Sequence, residues 1–452
     1  MAFLKWLYPG MRVKRWFFLF AAGVAAVSFG LALLFNYRFI SVVEENLFTL
    51  VYSLTGQYMR AVSALIGSLI VLIGLGIMIY ATRLIIRSIV SAVAPEGTDK
   101  LADIIFNKRR LNRGASIVVI GGGTGLSTLL RGIKSVTSNI TAIVTVADDG
   151  GSSGRLRQDF GMVPPGDMRS CLVALADTEP LMEKLFQHRF GGGGDLAGHS
   201  FGNLFIAAMT EVLGDVEMAL KESSKVLAVR GQVLPSCAKM IGLVAEMEDG
   251  QVVQGESNIT RSRKKIRRVT IEPADTPAVG SAIEAIKTAD AVIIGPGSLY
   301  TSVMPNLLVK ELADTLRSCK AVKIYVCNVM TQPGETDGYA ASDHVQAIVD
   351  HVGPGVIDYA LVNVQDVASC LLDNYAQEGA CPVPADIEKI EALGVQAVRA
   401  NLISETTWVR HDPVRLARTI LAMVYQLKDN PKRLTLFDYY MIERQARKPV
   451  NE

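Results

Sequence analysis

Two stretches of twenty residues without a charged side chain, Trp16–Phe35 and Val62–Ala81, constrain this chain more than any other feature. A helix needs about 20 apolar residues to cross a hydrocarbon core of about 30 Å, so each run is long enough to span. A cleaved signal peptide is the competing reading of the first run. Its apolar stretch is too long for that, and SFGLALLFNYRF offers no small-x-small cleavage site.

The basic residues set an expected orientation. Lys5, Arg12, Lys14 and Arg15 precede the first run, and Arg83, Arg87, Lys100, Lys108, Arg109, Arg110 and Arg113 follow the second. Between the runs stand only Arg38 and Arg60, with Glu44 and Glu45. Positive flanks stay on the cytoplasmic side. The expectation is a two-pass protein of the cell membrane with both termini and the globular part in the cytoplasm. It divides into a hairpin over 1–90, a basic linker over 91–113, a domain over 114–428 and a polar tail over 429–452.

Fifty per cent hydrophobic residues and a mean hydropathy of +0.28 agree with that division, because the excess is local. A net charge of +2 gives no reason to expect a nucleic-acid partner. The six cysteines, Cys171, Cys237, Cys319, Cys327, Cys370 and Cys381, form no CxxC pair, and the five histidines are scattered. No zinc site is expected, and cytoplasmic thiols stay reduced.

Beyond Gly114 the pattern changes to short apolar strands separated by helical spacing: 117–120, 140–146, 291–294, 322–326 and 359–364. Such alternation predicts an α/β fold, a Rossmann-like parallel sheet with helices on both faces. The stretch around KVLAVRGQVLPSCAKMIGLVAEMEDGQVVQGES alternates apolar and polar residues about an Asp249-Gly250 turn. It reads as an antiparallel β insertion. RSRKKIRR, 261–268, follows as a solvated loop and strand edge, with an anionic membrane surface as the functional alternative.

VVIGGGTGLSTLL puts Gly121-Gly122-Gly123-Thr124-Gly125 between a strand and a helix. Glycines let a phosphate approach the backbone closely, and the helix N-terminus offers free N–H groups. No Gly-Lys-Ser/Thr follows, so this is not a Walker A loop. Leu126 stands where a dinucleotide fingerprint needs its third glycine, which counts against a nicotinamide dehydrogenase.

Asp148 lies 27 residues after Gly121, at the tip of the second strand in VADDGGSSGRLR. An acid there grips a ribose hydroxyl in Rossmann domains. The preferred split gives one of Asp148 and Asp149 to a sugar hydroxyl and the other to the loop; a Mg²⁺ bridging a carboxylate to phosphate oxygens is the rival. Ser152, Ser153 and Arg155 add donors for an anion. Asp167 and Arg169, in PPGDMRSCL, suit the same site or a local ion pair. Asn203, in GHSFGNLF, either caps its helix or faces a ligand, and His199 beside it has no acidic orienter. A second strand-then-glycine turn, Gly295-Pro296-Gly297-Ser298, repeats the first, so a diphosphate spanning both is the simplest reading. Asn328, Thr331, Glu335 and Thr336 leave another strand. Arg410 precedes an Asp412 cap and Pro413, placed either to clamp a diphosphate or to lie on the surface.

Taken together, IGGGTGLSTLLRGIK, VTVADDGGSSGRLR, GMVPPGDMRSCLVALAD, FQHRF, GHSFGNL, RGQVLP, GPGSLYTSVMPNLL and NVMTQPGETDGY resemble the YvcK-type gluconeogenesis factors, in that family's order, over about 115–427. That family sits in the CofD-like, 2-phospho-L-lactate transferase superfamily. The resemblance implies a UDP-sugar ligand such as UDP-N-acetylglucosamine and a role in cell shape and wall integrity on gluconeogenic carbon. No settled catalytic activity comes with it. The positions it points to are Gly122, Gly123, Thr124, Gly125, Asp148, Asp149, Asn203, Gly295, Gly297, Ser298 and Arg410; Ser152, Arg155, Asp167 and Arg169 join them on their own chemistry. A Mg-dependent CofD-like transfer of a phosphorylated group to an acceptor hydroxyl is the alternative, with Asp148 and Asp149 on the metal. A homodimer and envelope-synthesis proteins are the protein partners considered. The N-terminal hairpin departs from the family's usual soluble form.

Overall fold

The computed structural model describes residues 14–34, 49, 52–53, 60–93, 101–177, 180–368, 371–372, 375, 377–405 and 408–427. Lys5, Arg12, Arg38, Glu44, Glu45, Lys100, Cys370 and the expected tail over 429–452 lie outside them. The chain forms two compact units, 1–108 and 109–452, each taken by itself below.

In the first unit, α1 (Lys14–Leu34) and α2 (Arg60–Val93) cover the two uncharged runs. Both are long and apolar enough to cross a membrane, with mean hydropathies of 2.3 and 2.5. At 1.5 Å per residue, the 34 residues of α2 extend about 50 Å, well past a hydrocarbon core of about 30 Å. Its final turns, with Arg83 and Arg87, therefore continue beyond the apolar run. Small residues let the helix backbones meet. A Cβ on Gly30 would stand 2.8 Å from the Gly67 carbonyl oxygen, and one on Gly67 2.9 Å from that of Gly30. Gly23 and Gly74 oppose each other in the same way, at 3.0 and 2.9 Å. Apolar attraction is weak in lipid, so close backbone packing of this kind is what joins membrane helices.

Within the expected basic linker over 91–113, residues 101–112 form α3 (Leu101–Asn112). Its last turn is built into the second unit, where Leu111 is buried and its carbonyl accepts from Ser138 N–H at 2.9 Å.

The second unit is built on a seven-stranded parallel sheet in the order β10-β9-β8-β7-β1-β2-β3. The strands are β1 (Ile117–Gly121), β2 (Ile140–Val144), β3 (Gln232–Pro235), β7 (Ala291–Ile294), β8 (Val322–Val326), β9 (Tyr359–Asn363) and β10 (Gln396–Ala400). Every residue of β1, β2 and β7 is buried, as continuous apolar runs covered on both faces should be. The order runs one way from β1 through β2 and the other way from β7 through β8. The direction thus reverses between β1 and β7, and the two glycine turns leave the carboxyl ends of those two strands. That is the crevice where open α/β sheets bind ligands.

Part of the expected β insertion belongs elsewhere. Gln232–Pro235 pairs in parallel with β2, in register Thr141 to Gln232, and closes one edge of the main sheet. Alternation could not reveal this, because a four-residue strand is too short for its period to separate it from the insertion that follows. The separate antiparallel sheet holds β4 (Gly242–Met247), β5 (Val252–Gln254) and β6 (Ile266–Glu272), turning at Asp249-Gly250. In the basic run, Lys264 pairs with Asp249 and Arg267 with Glu246 inside this sheet.

The helices that position the site are α4 (Gly123–Ile133), α5 (Gly151–Phe160), α6 (Gly166–Leu175), α7 (Pro180–Gln187), α8 (Phe201–Leu213), α9 (Val216–Val226) and α10 (Glu256–Ser262). They are followed by α11 (Gly280–Thr288), α12 (Lys310–Ser318), α13 (Ala341–Val352), α14 (Ile387–Ala392) and α15 (Pro413–Leu427). In α4, Leu126, Leu129, Leu130 and Ile133 are fully buried against the sheet, the face their spacing dictates.

Candidate functional site: two cavities joined at a glycine turn

After β1 the backbone passes through an extended Gly122 to Gly123 at φ +65°, a left-handed conformation natural only to glycine. Gly125 is needed for proximity rather than dihedral freedom. A Cβ there would stand 2.5 Å from the Pro296 carbonyl oxygen, so the two glycine turns touch through backbone. Asn328 fixes the second turn from the end of β8: its Nδ2 donates to the Gly297 carbonyl at 2.9 Å, and its Oδ1 accepts from Gly297 N–H at 3.3 Å. Gln332 Nε2 donates to Ser298 Oγ at 2.6 Å.

These turns form one wall of a cavity of about 500 Å³, which Gly122, Gly123, Thr124, Gly125, Gly297 and Ser298 all line. Tyr375 and Arg410 face it from a separate lid segment, where Tyr375 accepts from Val409 N–H at 3.0 Å. Asp412 caps α15 as its sequence suggests, its Oδ1 accepting from Val414 and Arg415 N–H at 2.9 and 2.8 Å. That cap fixes where the strand carrying Arg410 ends. Thr331 and Glu335 also line the cavity. The buried Glu335 accepts from Thr301 Oγ1 at 3.0 Å and Thr260 Oγ1 at 3.3 Å, and burial pushes its carboxyl up.

A second cavity, of about 370 Å³, lies on the other side of the same turn and shares Gly123 and Thr124 with the first. Asp148, Ser152, Asp167, Arg169 and Asn203 line it. The crevice therefore brings together twelve of the fifteen residues expected from the sequence: Gly122, Gly123, Thr124, Gly125, Asp148, Ser152, Asp167, Arg169, Asn203, Gly297, Ser298 and Arg410.

Three expected residues point elsewhere. Asp149 turns away and accepts from Ser257 N–H at 2.9 Å, capping α10 of the antiparallel insertion. Asp148 stays at the cavity and accepts from Gly150 N–H at 2.9 Å. The adjacent acids thus separate as expected, but the capped element is 108 residues distant. They do not present two carboxylates to one point, so a Mg²⁺ at the cavity would take Asp148 and not Asp149. Among the described residues no three metal-ligating side chains converge. Arg155 donates to the Ala197 carbonyl at 2.7 Å and lines neither cavity. Gly295 lies beneath its turn, its N–H bonded to the Ile120 carbonyl at 2.8 Å.

Two open alternatives are decided. Ser200, not Asn203, caps α8, its Oγ accepting from Asn203 N–H at 3.2 Å. Arg169 forms no ion pair with Asp167; it donates to Ser200 Oγ at 2.6 Å and Ser170 Oγ at 3.3 Å. His199 finds a partner in Ser152, with Nδ1 3.0 Å from Oγ. Asn203 Nδ2 donates to the same Oγ at 3.0 Å, so one hydroxyl joins both side chains. Sequence reasoning missed Tyr375, Gln332, Arg189 and Glu256. Arg189 lay within the FQHRF motif without being singled out, and Glu256 opens a helix of the insertion whose nearness to the crevice no local pattern indicates.

The electrostatics are uneven. Burial, then the neighbouring Asp148, push Asp167 up to about 6 against the pull of a bond from Gly123 N–H. Burial and four surrounding carboxylates, Asp148 first, push Glu256 up to about 7. Burial lowers His411 to about 4. A carboxyl raised in the folded state keeps a proton that the unfolded chain releases, so stability falls as pH rises between the two values. For Asp167 that window runs from the ordinary aspartate range to about 6. Asp167→Asn should therefore raise the melting temperature at pH 7.5 and change it little at pH 4. An equal gain at both values would refute the assignment.

A family model described as 2-phospho-L-lactate transferase CofD matches residues 117–403. The putative gluconeogenesis factor of Nostoc sp. is 48% identical over 425 residues, 92% of this chain and 91% of that relative. So long an alignment extends into the apolar N-terminal segment, which is therefore not peculiar to this chain. The gluconeogenesis factor of Bacillus subtilis is 50% identical over 309 residues, 68% of this chain and 98% of its own length. A crystal structure of a UPF0052 family member from Bacillus halodurans superposes with a TM-score of 0.67 at 52% identity, covering 68% of this chain and 99% of that one.

Proposed function

Since this chain belongs to the gluconeogenesis factors, within the CofD family, we propose that it is a membrane-tethered regulator that binds a UDP-sugar, of the UDP-N-acetylglucosamine type, in the crevice between β1 and β7. The single observation that carries this reading is the backbone contact between the two glycine turns, Gly125 against Pro296, at the reversal of strand order. Two adjoining glycine turns, the first opening a helix N-terminus, match a diphosphate better than a single phosphate. Arg410 closes the phosphate wall from the lid. Asp148, at the tip of β2, accepts a hydroxyl. The hairpin α1–α2 holds the domain at the cytoplasmic face of the cell membrane, where it links carbon supply to cell shape and envelope synthesis through envelope-synthesis proteins.

Calorimetric titration of the full-length protein in detergent tests the reading. UDP-N-acetylglucosamine is expected to bind at micromolar concentration without added metal, and failure at millimolar concentration would sink it. Arg410→Ala should weaken binding about 10- to 100-fold, since a charge-assisted phosphate contact contributes roughly 1.5–3 kcal/mol. An unchanged affinity would return Arg410 to the surface.

The second reading is a CofD-like transferase that moves a phosphorylated group from a nucleotide diphosphate donor to an acceptor hydroxyl. The acids around the second cavity favour it, because Asp148 and Asp167 there and Glu256 beside them offer a base and a Mg²⁺ ligand. It requires Mg-dependent nucleotide binding and turnover that Asp148→Asn removes.

A further inference from the structure

The second cavity has a charge pattern that a neutral sugar does not use. Three helices begin on it, α4, α5 and α6, of 11, 10 and 10 residues; none is capped by its own N-cap side chain, and at the start of α4 Asp167 accepts from Gly123 N–H. Their first residues, Gly123, Gly151 and Gly166, all line the cavity. The positive ends of three helix dipoles thus face one space.

Two arginines face the same space. Arg169 comes from α6 and Arg189 from the loop after α7. Arg169 bonds only to the neutral oxygens of Ser200 and Ser170, and Arg189 Nη1 donates to the Gly198 carbonyl at 3.0 Å. Among the ion pairs of the described residues, neither guanidinium meets a carboxylate. Burial, and then the nearby Arg189, disfavour the charged form of Arg169. Asp167 and Asp148 pull the other way but form no ion pair with either guanidinium, so an incoming anion would still stabilise the two like charges.

An orphaned acceptor points to a ligand independently. Asn203 is 1% exposed and lines the cavity, and its Oδ1 has no hydrogen-bond partner while its Nδ2 is occupied by Ser152. A buried amide oxygen left unpaired costs free energy that a ligand hydroxyl or N–H would recover. Asp148 and Asp167 are the other acceptors present. Each already takes a backbone N–H, from Gly150 and Gly123.

Hydroxyl acceptors beside two unpaired guanidinium groups suit a polyol that carries a negative charge. The geometry points to a second anion subsite here, formed by Arg169 and Arg189, for a carboxylate on the glycosyl group of the nucleotide sugar. The forked guanidinium matches a carboxylate bidentately. The nucleoside then occupies the 500 Å³ cavity under Tyr375, and the diphosphate crosses the shared glycine turn. This inference rests on the nucleotide-sugar reading and replaces the neutral N-acetylglucosamine with an acidic sugar.

The test compares UDP-glucuronate, UDP-glucose and UDP on the full-length protein in detergent, by calorimetry. UDP-glucuronate is expected to bind about tenfold more tightly than UDP-glucose, the effect of one added charge-assisted pair. In Arg189→Ala the ratio of the two dissociation constants should fall toward one, and 0.5 M salt should narrow it in the wild type. Equal affinities for the two sugars in the wild type would overturn the subsite and leave the nucleotide-sugar reading standing. If Arg189→Ala weakened UDP, UDP-glucose and UDP-glucuronate alike, the arginines would hold the diphosphate itself, and the subsite would be refuted. Binding of none of the three would reject the nucleotide-sugar reading, and this inference with it.

Discussion

Gly125→Ala should reduce UDP-sugar affinity by about a hundredfold or more, equivalent to roughly 3 kcal/mol of binding free energy. The added methyl would stand 2.5 Å from the Pro296 carbonyl oxygen and 3.0 Å from Gly297 N. Both are backbone atoms that no rotamer change can move aside. The two turns must separate, and the N–H groups that face the phosphates lose their common centre. Alanine is a better helix former than glycine by about 1 kcal/mol, so the helix itself does not suffer. The expected result is a folded protein that fails to bind, read by calorimetry beside a melting curve. Retained affinity would show that the turns do not act as one site.

The same substitution about two turns further along α4 should have the opposite signature. A Cβ on Gly132 would stand 1.8 Å from the Pro413 carbonyl oxygen, at the start of α15. Overpacking of this kind costs about 1–3 kcal/mol and occasionally more, and backbone on both sides places Gly132→Ala at the upper end. Melting should fall by several degrees, at ~2–4 °C per kcal/mol for a domain of about this size. The fraction that remains folded should lose less affinity than Gly125→Ala, because Gly132 stands at the far end of α4 from the glycine turn and reaches the site only through Pro413 and the Asp412 cap beside Arg410. A drop in affinity without a drop in melting temperature would contradict this account.

These two glycines also mark what the sequence could reveal. The strand, glycine turn and helix of 117–133 were legible because periodicity changes from buried run to helical stripe across five residues. The second turn at 295–298 was legible for the same reason. What failed depended on distant partners. Asp149 leaves the crevice because Ser257 N–H, on an insertion helix, takes its carboxylate. Arg155 is drawn to the Ala197 carbonyl. Gln232–Pro235 joined the main sheet because β2 had a free edge. Asn203 lost its cap role to Ser200, three residues earlier, where either residue type would serve. Local pattern specifies direction along an element well, yet says little about which of two adjacent polar groups a remote backbone will claim.

The hairpin's glycines set a rule for how this segment can be exchanged or engineered. Gly23 meets Gly74 and Gly30 meets Gly67, so the small-residue faces of both helices are consumed within one chain. A self-association assay on α1 alone would expose that face and report a pairing that the intact protein has already used. The outward surface carries bulky groups instead, Leu65, Leu69 and Leu72 of α2 being 71%, 53% and 66% exposed. Each helix is cut to fit the other's backbone. A chimera that replaces one of them with an ordinary leucine-rich span would set side chains against carbonyls at two levels, whereas one that carries both across together moves a finished part.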